Sequence, residues 1–263
     1  MVYLGLRTND ELWISTTLGL RGLHVTPCVT ATVARHCRFA FQPGPRTAAA
    51  LVIHDYGVPH PQLAAIRDRC RRHGWPLIED AAHAFASTDA AGQRLGTEGD
   101  FALFSLPKFF ELRRGGLAVG LPGSAAGEED AASAVQFSAV WPQVDRIAAA
   151  RRQNWLQLDR LFAQRGLASD LSLTPGSVPM LYVLRTANQF SLLRRLRSHG
   201  IESGPDVHCN RLLVPCHQGL QPADLCRIVR VITDAARADE AVTQRPLSLI
   251  PGPGNRITDS PWR

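Results

Sequence analysis

One stretch in the first third of the chain has the pattern of a strand, a helix and a second strand. Residues 50–54 consist of four apolar side chains followed by His54, and residues 61–73 carry apolar side chains at helical spacing before Gly74. A second strand over 77–80 opens with the apolar pair Leu77 and Ile78. Two strands joined in this way lie parallel, with a right-handed crossover between them. The sequence therefore predicts an α/β protein with a mostly parallel sheet. Asp80 is expected at the carboxyl edge of that sheet, where open α/β sheets bind ligands.

The same edge is predicted to collect other chemically useful side chains. His54 ends the first strand, and two further strands are expected at 101–105 and 117–119. Ser105 and Lys108 follow the first of these two strands, and His83 comes shortly after Asp80. Asp80, His83, Ser105 and Lys108 are thus expected to line one crevice.

Lys108 is the only lysine among 29 basic residues, the other 28 being arginine. An amine loses its proton when desolvated and forms a Schiff base with an aldehyde, whereas a guanidinium stays charged and is a poor nucleophile. The alternative is a lysine retained on a solvated surface of an arginine-rich protein. Taken alone, Lys108 leaves both interpretations open.

Several short motifs occur in a fixed order, and each by itself is weak. They are EDAAH at 79–83, GD at 99–100, SLPK at 105–108 and GG at 115–116. In this order they resemble the DegT/DnrJ/EryC1/StrS family of pyridoxal phosphate (PLP) aminotransferases, which have fold type I. The similarity continues at 53–57 and 213–218 and spans most of residues 5–238.

The resemblance implies a role for each residue of the crevice. Lys108 would hold PLP as a Schiff base and move the proton during amino transfer. Asp80 would pair with the pyridine nitrogen and keep it protonated, so that the ring withdraws electrons. His83 would lie beside the phenolic oxygen of the ring, and Ser105 would donate its hydroxyl to the phosphate. His54 is assigned only to the lining of the site.

Each of these residues also has an ordinary structural interpretation. Asp80 is a strong N-cap for a helix starting at Ala81, and His83 is compatible with a half-buried histidine of no special function. Ser105 and Pro107 are typical turn residues. Their order around a strand–helix–strand unit favours the PLP site over these separate explanations.

The chain departs from the family pattern at several points. It starts where relatives are already inside the large domain, so a first helix and a Gly-Thr-rich phosphate loop are expected to be missing. Residues 15–19 contain no aromatic to stack on PLP, and Arg113 and Arg114 stand where relatives usually carry glutamate. The Asn-Tyr-Arg segment that relatives donate to their partner's site is not recognisable. Two explanations remain open, a start codon placed too late and a reduced relative, and we favour the first.

The domain organisation is predicted from composition and from the family. We expect a truncated PLP-binding large domain over 1–124, then a linker helix and a small α/β domain over 125–245. The Pro-Gly-rich segment 246–263 is expected to be a disordered tail.

The elements of the second half follow from apolar periodicity. We expect a helix over 131–164 that is interrupted near Trp141, and a strand over 171–185. A helix over 188–198 is expected to bury Phe190, Leu193 and Leu196. A last helix over 222–236 is expected to bury Leu225, Ile228, Val229 and Ile232.

Composition limits the classes of function. The net charge of +6 and the pI near 9.4 come from scattered arginines on predicted helix faces, without a nucleic-acid motif, so no nucleic-acid partner is expected. Six cysteines without a C-x-x-C pair predict reduced thiols and no metal site. No apolar run is long enough for a membrane span and no leader is recognisable, so a cytoplasmic protein is expected.

The resemblance implies amino transfer from glutamate to a keto group of a nucleotide-activated sugar, in a homodimer, and the substrate and the dimer rest on the resemblance alone. The alternative is a non-catalytic aminotransferase-fold protein that acts as a partner subunit. A dehydratase of the same family would carry histidine in place of Lys108. A hydrolase would need a G-x-S-x-G elbow, which the sequence lacks.

Overall fold

A computed structural model describes residues 6–18, 26–120, 128–206 and 210–243, which form two sheets. The first sheet has six strands in the order β2-β1-β3-β4-β5-β6. Its strands are β1 (Glu11–Thr16), β2 (Arg38–Ala40), β3 (Thr47–Ile53), β4 (Leu77–Asp80), β5 (Phe101–Ser105) and β6 (Gly116–Val119). Helices α1 (Thr26–Val33) and α2 (Leu63–His73) belong to the same half of the chain.

Five of the six strands are parallel, and only β6 runs antiparallel to its neighbour β5. In this register Ile53 pairs with Asp80, and Asp80 pairs with Leu103. The carboxyl ends of β3, β4 and β5 therefore meet at one edge. The predicted α/β class with a mostly parallel sheet is confirmed.

Helix α2 crosses between β3 and β4, as the apolar periodicity predicts. It buries Leu63, Ile66 and Cys70 against a cluster that includes Val52 of the sheet. Each large apolar side chain removed from water in this way stabilises the fold by about 1.5–3 kcal/mol. The helix ends at Gly74, whose φ of 67° is the left-handed conformation that glycine adopts without strain.

The second sheet has three antiparallel strands in the order β7-β9-β8. These are β7 (Leu181–Arg185), β8 (Gly204–Asp206) and β9 (Arg211–Pro215), covered by α5 (Gln189–Ser198) and α6 (Pro222–Thr243). The strand predicted over 171–185 was too long, because residues 171–180 contain a turn at Pro175 and Gly176. A proline lacks the N–H that a strand ladder needs, which excludes a continuous strand here.

The buried stripe of α5 differs from the predicted one. Phe190 is 56% exposed, whereas Leu192, Leu193 and Leu196 are buried together with Gln189. Positions 189, 192, 193 and 196 follow i, i+3, i+4, i+7 spacing. The prediction was wrong at Phe190, because buried Gln189 places the apolar stripe one residue earlier at the start of the helix.

Two helices connect the sheets, α3 (Glu128–Val140) and α4 (Val144–Ala163), separated by a 3-10 turn at Trp141–Gln143. The predicted interruption near Trp141 is confirmed. The last helix buries Leu225, Ile228, Val229 and Ile232 as predicted and extends to Thr243. The predicted tail at 246–263 lies outside the described residues.

Candidate active site

Asp80 ends β4 at the carboxyl edge of the large sheet, partly shielded from solvent. Its Oδ1 accepts a hydrogen bond from the Ala82 N–H at 3.0 Å. A turn follows Asp80, so the side chain does not cap a helix. Burial raises the pKa of Asp80, whereas the Ala82 N–H and the positive charge of Lys108 act in the opposite direction. Asp80 and Lys108 therefore lie within electrostatic reach of each other.

Lys108 ends a 3-10 turn, Leu106–Lys108, that directly follows β5. Buried Leu106 anchors the turn: its N–H donates to the Gly115 carbonyl at 3.1 Å, and its own carbonyl accepts from the N–H groups of Phe109 and Phe110. The Lys108 side chain is partly buried and lines a cavity of about 940 Å³. The surface interpretation of Lys108 therefore does not describe its position.

Ser105 is the last residue of β5 and pairs with Gly116 of β6. Its side chain is half-buried and makes no capping hydrogen bond to the turn that carries Lys108. The hydroxyl thus has no role in building that turn. This placement is compatible with a hydroxyl donor to an anion.

His83 is held by the short turn Asp55–Gly57 that follows β3. Its Nδ1 accepts the Tyr56 N–H at 3.2 Å, and its ring stacks on the Tyr56 ring with centroids 5.6 Å apart. A neutral ring that accepts at Nδ1 carries its proton on Nε2. The imidazole is therefore fixed in orientation, and Tyr56 is a contributor that the sequence motifs did not reveal.

His54 was expected to line the site, but its side chain is fully buried. The His60 N–H donates to His54 Nδ1 at 3.0 Å, so Nε2 carries the proton and donates to Glu79 Oε2 at 3.0 Å. His54 therefore stabilises the interior of the sheet and does not face an open crevice.

Glu79 is fully buried and accepts hydrogen bonds beyond the one from His54. The N–H groups of Gly96, Glu98 and Gly99 donate to its carboxylate at 2.6–2.9 Å. Burial opposes ionisation, but the hydrogen bonds outweigh it and hold the pKa of Glu79 below its ordinary value. The carboxylate thereby fixes the segment that leads into β5.

Asp55 is a second buried acid that the sequence analysis missed. Its Oδ2 accepts the Leu18 N–H at 3.1 Å, and no residue of the described ranges donates to its Oδ1. Burial raises the pKa of Asp55 to about 7, and the negative charge of Asp80 adds to the effect.

Arg151 on α4 was also missed. Only 5% of it is exposed, and it lines the same cavity as Lys108, together with His217, Gln218 and Arg227. The sequence analysis included Arg151 among the scattered arginines on predicted helix faces, and its neighbour Arg152 belongs to the same group. The cavity therefore lies between the Lys108 turn, α4 and the second sheet.

Other classes of site are not supported by the described part of the chain. Within those ranges there is no group of three or more histidine, cysteine or acidic side chains that is arranged to hold a metal. Cys37, Cys70, Cys216 and Cys226 are free thiols. No helix among the described residues has both the length and the apolar character that crossing a bilayer requires.

The donor set of the edge fits PLP by its chemistry. Burial deprives the Asp80 carboxylate of water and raises its pKa. A positively charged pyridinium beside it would compensate for that lost solvation, so Asp80 is suited to pair with the ring nitrogen of PLP. Lys108 supplies the single side-chain amine of the chain, and Ser105 supplies a hydroxyl at the end of the adjacent strand. His83 supplies a ring N–H at the same edge.

The fold is fold type I of the PLP-dependent aminotransferases. The structure is similar to the aminotransferase TlmJ from Streptoalloteichus hindustanus, with a TM-score of 0.72 and 22% sequence identity over 90% of this chain and 82% of that chain. At this identity the similarity establishes the fold alone.

Residues 44–114 also match the sequence model of the DegT/DnrJ/EryC1/StrS aminotransferase family, which confirms the resemblance found in the motifs. The chain is 32% identical over 116 residues to L-glutamine:scyllo-inosose aminotransferase of Streptomyces griseus, a match covering 39% of this chain and 26% of that enzyme. It is 40% identical over 60 residues to GDP-perosamine synthase of Vibrio cholerae, covering 23% of this chain and 16% of that enzyme. The matches thus span about a quarter or less of these curated relatives.

Proposed function

We propose that this chain carries the active site of a PLP-dependent aminotransferase that adds an amino group to a keto group of a sugar. The observation that carries the proposal is the placement of Asp80 and Lys108 at the carboxyl ends of adjacent parallel strands. Asp80 ends β4 and Lys108 ends the turn after β5, and the charge of Lys108 acts on the partly buried Asp80 carboxyl. When bound, PLP supplies an electrophilic carbon for an amine and a ring that withdraws electrons.

Each side chain of the site has a task in this proposal. Lys108 would hold the cofactor through its amine and would then donate and accept the proton that moves during transfer. Asp80 would pair with the pyridine nitrogen, His83 would help to hold the cofactor through its ring N–H, and Ser105 would donate its hydroxyl to the phosphate. These residues lie in the proposed PLP-binding domain, 1–124, and the cavity wall opposite comes from the proposed small domain, 125–245.

The substrates are proposed from the relatives and from the size of the cavity. One relative is named for L-glutamine and scyllo-inosose, and the other for GDP-perosamine. We propose glutamate as the donor and a nucleotide-activated keto sugar as the acceptor, with glutamine as the competing donor to be tested. A cavity of about 940 Å³ is in the upper part of the range for small-molecule sites. The proposed assembly is a homodimer.

The first experiment uses the single lysine. The purified chain is mixed with PLP, reduced with borohydride and mapped by peptide mass spectrometry. The proposal expects a pyridoxyl group on Lys108 and none on that position in Lys108→Arg, which keeps the charge but forms no stable Schiff base. If wild-type protein shows no label at saturating PLP, the proposal is wrong and the non-catalytic partner-subunit interpretation is supported.

The donor is tested next, with the PLP-loaded protein. Glutamate and glutamine are supplied separately, and the corresponding keto acid is measured in a single turnover without a sugar. Formation of a keto acid from glutamate but not from glutamine supports glutamate as the donor. Formation of a keto acid from glutamine but not from glutamate contradicts it. Lys108→Arg, treated identically, gives the background.

A further inference from the structure

Arg151 forms an unusual set of hydrogen bonds beside Lys108. Its Nη2 donates to the backbone carbonyls of Lys108 and Phe109, each at 3.0 Å. Its Nε donates to Gln218 Oε1 at 2.9 Å. One guanidinium thus joins the turn that carries Lys108, helix α4 and the segment after β9.

The charge of Arg151 is expensive to bury. No carboxylate among the described residues forms an ion pair with it, and burial lowers the pKa of its guanidinium. Its partners are two carbonyls, one amide oxygen and the Phe109 ring, whose centroid lies 5.2 Å from the guanidinium carbon. A buried cation without an acid partner is poorly suited to stabilising the fold, so a geometric role is the better explanation.

The surrounding contacts define that role. The last carbonyls of a 3-10 turn lack partners within the turn, and Arg151 satisfies those of Lys108 and Phe109 together. One turn further along α4, Asn154 Nδ2 donates to the His217 carbonyl at 2.8 Å. The same helix face therefore holds both walls of the Lys108 cavity at a fixed separation.

We propose that Arg151 is a positioning residue for Lys108. By holding the backbone at Lys108 and Phe109, it fixes where the Lys108 amine points between Asp80 and the cavity. The catalytic significance of this role rests on the proposed function, whereas the contacts that define it are all between residues of this chain. A lysine at position 151 offers no planar fork and cannot reproduce the three hydrogen bonds.

The test begins without any cofactor. Because Lys108 is the only lysine, reductive methylation with ¹³C-formaldehyde marks Lys108 and the N-terminal amine alone, and Lys108→Arg identifies which NMR signal is which. Replacing Arg151 with lysine would introduce a second methylated side chain and therefore a third NMR signal. The primary variant is for this reason Arg151→Gln, which adds no amine. We expect its Lys108 signal to shift and its titration midpoint to move relative to wild type.

The matched control is Arg152→Gln. Arg152 is the next residue of α4 and also donates to two backbone carbonyls, those of Thr174 and Ser177, away from the Lys108 turn. We expect this variant to leave the Lys108 signal and its titration unchanged. Both variants are compared by circular dichroism and thermal unfolding, so that loss of folding is recognised.

The second readout is the rate of pyridoxyl labelling at Lys108. Misplacing a reacting group by about 1 Å lowers rates by up to roughly a hundredfold, so Arg151→Gln is expected to label about tenfold to a hundredfold more slowly than wild type. If Arg151→Gln does not fold, Gln218→Leu removes one anchor of the guanidinium and is expected to shift the same Lys108 signal.

The outcomes separate this inference from the proposed function. A wild-type chain that does not label with PLP contradicts the function, while the methylation experiment still tests Arg151. A folded Arg151→Gln with an unchanged Lys108 signal and titration overturns the positioning role. If Arg151→Gln is unfolded, an unchanged Lys108 signal in folded Gln218→Leu overturns it as well.

Discussion

His54 Nε2 donates to Glu79 Oε2 at 3.0 Å, and both side chains are fully buried, His54 directly after β3 and Glu79 within the adjacent parallel strand β4. The same carboxylate also accepts hydrogen bonds from the backbone N–H groups of Gly96, Glu98 and Gly99. Those residues lead into β5, whose end carries Ser105 and the Lys108 turn. The His54–Glu79 pair therefore connects the interior of the sheet to the edge where the site is formed.

Glu79→Gln is expected to destabilise the fold by about 3 kcal/mol, within the range for breaking a buried pair. The amide would place an N–H₂ group against backbone N–H donors that need an acceptor. Urea unfolding followed by circular dichroism measures the loss. Asp68→Asn, at a half-exposed position, is the control and is expected to change stability by less than about 1 kcal/mol. Equal stability of Glu79→Gln and wild type would contradict the structural role.

Asp55 predicts a pH dependence of stability. Burial raises its pKa from 3.8 to about 7, so the folded state keeps a proton that the unfolded state releases. The stability that this proton provides is fully present below about pH 4 and is lost as the pH rises to 7. Asp55→Asn removes the titration, so it should match wild type near pH 4 and exceed it at pH 8 by on the order of 2–4 kcal/mol. Urea unfolding at both pH values tests this, and a pH-independent difference would contradict it.

Gly57 and Gly74 form a matched pair of left-handed glycines. At Gly57, φ is 93° and an added Cβ would lie 2.0 Å from the Val178 carbonyl oxygen. At Gly74, φ is 67° and the added Cβ would meet nothing within 4 Å. We expect Gly74→Ala to cost about 1–2 kcal/mol for the backbone alone, and Gly57→Ala about 3–5 kcal/mol because overpacking adds to it. Thermal unfolding compares the two, and equal losses would argue against the close approach at Gly57.

Asp80→Asn is expected to separate cofactor binding from folding. The amide still accepts the Ala82 N–H and resembles the neutral acid that burial favours, so stability should change by less than about 1 kcal/mol. Losing a charged hydrogen bond to the ring nitrogen should weaken PLP binding about tenfold to a hundredfold. Fluorescence titration with PLP measures the affinity, with exposed Asp234→Asn as the control. Unchanged affinity in Asp80→Asn would remove Asp80 from the site.

The sequence predicted the parts of the fold that depend on local periodicity. The strand–helix–strand unit around α2, the break near Trp141 and the buried face of α6 follow from apolar spacing and from where glycine and proline stand. The strand predicted before Leu181 was too long, because Pro175 and Pro179 interrupt the apolar run and cannot donate to a strand ladder. The prediction that Phe190 is buried was also wrong, because the buried face of α5 starts at Gln189, and a polar residue is not counted in an apolar pattern.

The sequence motifs suggest which residues belong to the candidate site, but they do not give the hydrogen bonds that connect these residues to the rest of the fold. Motif order predicts Asp80, His83, Ser105 and Lys108 on one edge. In the structure Asp80 and Ser105 end β4 and β5, and His83 and Lys108 each come three residues after one of these strand ends. The long-range partners were not accessible, because Arg151 reaches Lys108 across 43 positions and His54 meets Glu79 across 25. Which polar groups pair at such separations depends on tertiary packing, which no local pattern records.

The two outer strands of the large sheet are short, which has a consequence for the protein at high concentration. Strand β2 is three residues long and begins with exposed Arg38, and β6 is four residues long and begins with glycine. The edge strands of a sheet have unpaired N–H and C=O groups, to which strands of other molecules can bind. Short edge strands that contain a charged residue or glycine present few such groups. The large sheet is therefore a poor template for edge-to-edge aggregation.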